Sequence, residues 1–213
     1  MPDLLGNFSH MAVFEKEWIN QTVSNNVNAS YQLVGRPQVN GTQGYEVNFT
    51  DDVVSSEITA NDTGTIWFVA NGTATEMNLG SSQLSGYYAA LEGELLMAPF
   101  DVVFEVGSVF NETTISNLPS SAYSILNETT ITLGSLKANQ TDYSFTSSFL
   151  DNMTASESAC TPLTGINYTE FVTGVSKVPG INFDIFTLFY TDGNVNGTSI
   201  GVFLQVTSLA ETQ

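Results

Sequence analysis

The chain has 213 residues, enough for one large domain or two small ones. Four Lys and Arg against 22 Asp and Glu leave a formal charge of -18, which excludes nucleic-acid recognition because phosphate neutralisation needs clustered cations. Yet only 12% of residues are charged, about half the ~25% of ordinary globular domains, while 42% are apolar, so a core can form beneath a surface that something other than charge keeps soluble.

In chain order, residues 11–19 form an apolar segment that reads as one strand with mixed faces. The Asn- and Ser-rich stretch 20–30 reads as a linker or long loop. These readings divide the chain into an N-terminal tail and linker, 1–28, and a globular head, 29–213. Short segments rich in Val, Ile, Thr, Phe and Tyr follow at 30–34, 45–50, 53–60, 65–70, 102–109, 123–126, 129–133 and 143–150. Spacing of roughly 8–12 residues with β-branched enrichment predicts an all-β sandwich head, immunoglobulin-like or jelly-roll-like, behind an extended N-terminal strand. One helix is predicted where Leu84, Tyr87, Tyr88, Leu91 and Leu95 recur at helical spacing, ahead of Pro99. The clearest unit is a hairpin pairing 181–190 with 199–206 across the turn 192–197; its strands are apolar on both faces, which predicts a central, doubly covered strand.

Asparagine supplies the missing surface polarity. Of 19 Asn, 13 begin an N-x-[ST] sequon: Asn7, Asn20, Asn28, Asn40, Asn48, Asn61, Asn71, Asn111, Asn127, Asn139, Asn152, Asn167 and Asn196. With 22 Ser and 25 Thr in the chain, chance would place about 4 of them in that context. N-glycans are bulky, hydrated and uncharged, so they replace charge as a solubilising device. The longest sequon-free stretch is 74–110 and a second runs over 170–195, and a surface without glycans is either buried in the domain or reserved for partners.

Glycosylation implies an exported, extracellular chain. The opening Met1-Pro2-Asp3 carries no secretory signal, so the numbering is expected to be that of the processed chain. No apolar run is long enough to span a bilayer. Cys160 is alone, so it forms no internal disulfide and is read as a buried structural thiol. At a pH of about 3 nearly all the carboxylates would be neutral, and with so few bases the chain escapes positive self-repulsion. The composition therefore suits an acid habitat.

Candidate chemistry is sparse. Gly197-Thr198-Ser199-Ile200-Gly201 matches G-x-S-x-G, but a nucleophile elbow needs a strand–turn–helix and a later His, and the only His is His10. Asp62-Thr63-Gly64 lacks the second copy an aspartic-protease pair requires. The turn 192–197 resembles half a calcium loop, but its twelfth position is Phe203 rather than Glu. No catalytic residue, metal site or cofactor beyond covalent N-glycans is assigned, and the chain is read as no enzyme. Lys16, Lys137 and Lys177 are weak candidates for Lys–Asn isopeptide crosslinks, which need a buried Lys beside Asn or Asp and a carboxylic acid; exposed lysines are the plainer reading.

Taken over its whole length, a Lys- and Arg-poor, Thr- and Asn-rich, sequon-dense β-chain with a strand-like N-terminal tail resembles the thread-filament subunits of the Sulfolobales, thermoacidophilic archaea with glycosylated surfaces. The resemblance implies a head-to-tail homopolymer for adhesion or cell contact, in which each head lacks a strand and a neighbour's tail, about residues 2–19, fills the groove. Val13, Phe14 and Trp18 would be the donor-strand anchors, Phe14 and Trp18 sharing one face. Asn7 should lie outside the groove or carry no glycan. The expected partners are identical subunits, with other cells or surfaces as targets. Two other readings stand beside it: a stand-alone surface-layer or adhesin domain whose tail folds back on its own sheet, and a secreted acid-stable hydrolase.

Overall fold

A computed structural model describes residues 8–39, 41–55, 58–69, 73–150, 166–180 and 184–211. Its elements are β1 (Phe8–Ile19), β2 (Thr22–Gly35), β3 (Gln38–Val39), β4 (Thr42–Ser55), β5 (Thr59–Val69), β6 (Ala74–Leu79), β7 (Ser82–Ser85), α1 (Tyr87–Val109), α2 (Glu112–Ser116), β8 (Tyr123–Leu133), β9 (Leu136–Phe145), β10 (Asn167–Lys177), β11 (Ile185–Val195) and β12 (Thr198–Glu211). The fold is all-β. Rather than two facing sheets, the described strands lie on one continuous antiparallel path, β7-β6-β5-β4-β2-β1-β12-β11-β10-β9-β8, with β3 paired to β4. At one end Gly134, just after β8, bridges Leu209 of β12, so the last five strands of the path curl back toward closure.

The expected tail is not separate from the head. β1 sits in the middle of the path, paired with β12 on one side and β2 on the other. The predicted linker is strand too: Val27, Ala29 and Tyr31 alternate inward from β2 and are buried, while Asn28 points out. The boundary at 28/29 therefore falls inside a strand. Period-two alternation, one face on the core and one in solvent, overrides the turn-forming character of Asn and Ser.

The inner face carries the core. Met11 and Val13 of β1, Tyr31 of β2, Val47 and Phe49 of β4, Ile66 and Phe68 of β5 and Met77 of β6 are buried there, and α1 lies across them. The Tyr31 hydroxyl donates to the Leu96 carbonyl of α1 at 2.7 Å. Gly93 sets how close the helix comes: a Cβ on it would lie 2.6 Å from the Ala74 Cβ. Ala89, Gly93, Met97 and Val103 thus face the sheet, while the residues whose spacing marked the helix turn outward, with Tyr87 75%, Tyr88 67% and Leu95 63% exposed, and Leu84 lies ahead of it in β7. The segment 102–109, predicted as a strand, is the last part of α1, which continues through Pro99. A second cluster, Phe110, Phe145, Phe171 and Phe189, joins α1 to β9, β10 and β11 through ring contacts of 5.1–6.0 Å. The predicted hairpin is present as β11–β12, but residues 192–195, expected in the turn, continue β11, and 181–183 lie outside the described residues. Asn196 and Gly197 turn it with φ of 52° and 87°, the left-handed pair a two-residue hairpin requires.

Candidate functional site

The sequons lie where an oligosaccharide can be carried. Of the nine sequon asparagines among the described residues, Asn20, Asn28, Asn48, Asn61, Asn127, Asn139, Asn167 and Asn196 are exposed and Asn111 is half-buried. Asn7, Asn40, Asn71 and Asn152, like Cys160, fall outside the described residues. Asn28, Asn48 and Asn61 project from the outer face of neighbouring strands. In the row Asn28–Asp52–Asn61 the Asn61 amide donates to the Asp52 carboxylate. Asn127 lies in β8, the edge strand at one end of the path, where a bulky substituent blunts an open edge. Asn111 is also the N-cap of α2, its side-chain oxygen accepting from the Thr114 amide at 2.9 Å.

The three proposed anchors divide between the two faces of β1. Val13 is 2% exposed in the core. Phe14 and Trp18 point outward and are half-buried. Phe14 packs against Phe203 at 6.0 Å and Trp18 against Tyr190 at 5.7 Å, both partners coming from the β11–β12 hairpin. The Trp18 ring lies on the bare backbone of Gly201. Trp18, Tyr190 and Phe203, together with Lys16, Gln21 and Val23, border an open depression of about 410 Å³.

Carboxylates occupy the inner face of the same strand. Glu15 stands between Leu204 of β12 and Val27 of β2. Burial, with Glu17 and Asp51 adding repulsion, raises its pKa from 4.5 to about 7. Asp51 of β4 is 8% exposed, and its Oδ1 is buried without a hydrogen-bond partner among the described residues. Burial, then Asp62 and Asp52, raises it from 3.8 to about 6. An unpaired carboxylate in such surroundings is costly, so both groups favour the neutral acid. Composition could not have found this pair, because it exists only once β1, β2 and β4 are in register.

None of the three lysines meets the requirement for an isopeptide bond. Lys137 is exposed, Lys16 is half-buried at the rim of the outer depression, and Lys177 is exposed in an ion pair with Glu112. Ser199 lies at the start of β12, so the G-x-S-x-G run has strand, not helix, after its turn. Asp62-Thr63-Gly64 lies within β5 and His10 within β1. Among the described residues no helix is long and apolar enough to cross a membrane. The exposed side of α1 carries an apolar stripe, Tyr88, Leu91, Leu95 and Val102, inside the long sequon-free stretch. The chain matches no family model and no curated protein.

Proposed function

We propose that this chain is a heavily N-glycosylated structural subunit of an extracellular archaeal filament, joined head to tail by exchange of β1, and that it serves surface adhesion or cell contact in an acid habitat. One observation carries the reading. β1 occupies a central slot between β12 and β2, and only a two-residue turn, Asn20-Gln21, joins it to the following strand β2.

Removing β1 would open two pairing edges, and a neighbour's β1 would refill them with the same hydrogen bonds and the same side chains. Such a contact joins unlike surfaces and does not close, so it propagates. The hinge favours exchange. Asn20 and Gln21 both adopt left-handed φ, 49° and 64°, a conformation that costs a long side chain such as Gln about 1–2 kcal/mol. Short strained hinges invite swapping. The exposed sequons support an extracellular, glycan-covered surface, and the raised carboxylates support acid as the working medium.

The runner-up, a surface-layer or adhesin domain in which β1 stays home, is favoured by the complete register β1 already makes with its own β12 and β2. Negative-stain imaging of native material separates the two: threads support the filament reading, and isolated globules end it.

A further inference from the structure

Rings clustered on an otherwise polar sheet face leave apolar area in water, and such patches mark contact sites. On the outer face Phe14, Phe203, Trp18 and Tyr190 form one track, with Lys16 beside it. Asn28 is directly opposite Phe14 in the β1–β2 register, so its side chain leaves the same face one strand spacing away, about 4.8 Å. It is exposed and heads a sequon. On its far side the Asp52–Asn61 pair closes the row with a hydrogen bond, so the open ground runs back over Phe14 and Lys16 toward Trp18.

We propose that the N-glycan on Asn28 lies along this track and fills the depression, so that Phe14, Phe203, Tyr190 and Trp18 form a saccharide-binding site for the chain's own glycan. A pyranose ring presents a face of C–H bonds, which stacks on the electron-rich face of an aromatic ring. The Lys16 ammonium and the Gln21 amide supply donors for sugar hydroxyls at the rim. Attachment one strand away raises the effective concentration of the sugar, so weak stacking suffices. The inference rests on the glycosylation part of the reading above and adds a role for one glycan: it finishes the surface over the β1–β12 seam.

Native glycoprotein carrying Trp67→Phe isolates Trp18, because the chain holds two Trp. Asn28→Gln is expected to red-shift Trp18 emission and raise its quenching by acrylamide. Ser30→Ala, which destroys the same sequon but keeps Asn28, should do the same, and Thr22→Ala, which destroys the Asn20 sequon but keeps the turn residue Asn20, should not. Mass analysis of the Asn28 glycopeptide keeps the failures apart. An unmodified Asn28 overturns both the inference and glycosylation at this position. A modified Asn28 whose loss leaves Trp18 unchanged overturns the inference alone. A response to Thr22→Ala in place of Asn28→Gln assigns the track to the Asn20 glycan and also overturns it. Reversal of the red shift in Asn28→Gln by a high concentration of free N-acetylglucosamine supports the inference, since the vacated track is then refilled by an untethered sugar.

Discussion

The Trp18 indole of β1 rests on Gly201 of β12 with no room between them for a methyl group: a Cβ on Gly201 would lie 2.0 Å from the ring. The pair is a fitted contact between the first strand and its slot. Gly201→Ala is expected to lift Trp18 and lower stability by about 1–3 kcal/mol, the range for overpacking. In the Trp18→Ala background the same substitution should cost much less, since the clash is gone. Denaturant unfolding of the four variants measures the coupling.

Stability should rise on acidification from neutral pH. Glu15 holds its proton to about 7 and Asp51 to about 6 in the folded chain, against 4.5 and 3.8 as ordinary values. Between those limits the folded state binds more protons than the unfolded state, so stability falls as pH rises through the window. Well below the ordinary values of 4.5 and 3.8 both states are protonated and the penalty is absent; well above about pH 7 it is complete, on the order of 3 kcal/mol for Glu15. Thermal melts from pH 3 to 8 should show this slope. Glu15→Gln, which imitates the neutral acid, should flatten much of it. A chain that unfolds at pH 3 but not at pH 7 would contradict the acid habitat.

Asn111 serves two ends that substitution can separate. Its side-chain oxygen caps α2 while its nitrogen heads a sequon. Asn111→Asp keeps the cap and removes the glycan; Asn111→Ala removes both. Relative to Asp, Ala should lower stability by about 1 kcal/mol, read from chemical denaturation at neutral pH.

Gly93→Ala should destabilise despite its gain in helix propensity. The added methyl would lie 2.6 Å from the Ala74 Cβ, so α1 must move off β6. A net loss of about 1–3 kcal/mol is expected, because overpacking outweighs the ~1 kcal/mol that Ala gains over Gly in a helix.

The all-β class and the last hairpin were legible because β-branched enrichment, short regular spacing and a turn rich in Asn and Gly are local signals. β2 was hidden by its outer residues: Asn26 and Asn28 read as loop, and the inward Val27, Ala29 and Tyr31 count only once a sheet lies beside them. The helix was legible but its orientation was not. Large residues such as Tyr87 and Leu95 stay outside because Gly93 and the small Ala89 permit the closer approach to the sheet. The β-rich composition of 102–109 yields to the packing of α1, with Val103 buried in the core. Phe14 and Trp18 could be named from β1, whereas Tyr190 and Phe203 become their partners only through the β1–β12 register. The Glu15–Asp51 pair is likewise a product of pairing across three strands.

Whether β1 pairs with its own β12 or a neighbour's is read most directly by a disulfide across that seam. Ile19 and Ile200 are directly opposed near the hinge end of the two strands, at a separation a cross-strand disulfide can span. Ile19→Cys with Ile200→Cys, in a Cys160→Ser background, would be oxidised in assembled native material and run on denaturing gels without reductant. Strand exchange predicts a ladder of covalently linked oligomers that collapses to one band on reduction. A single band of monomer carrying an internal crosslink would contradict it.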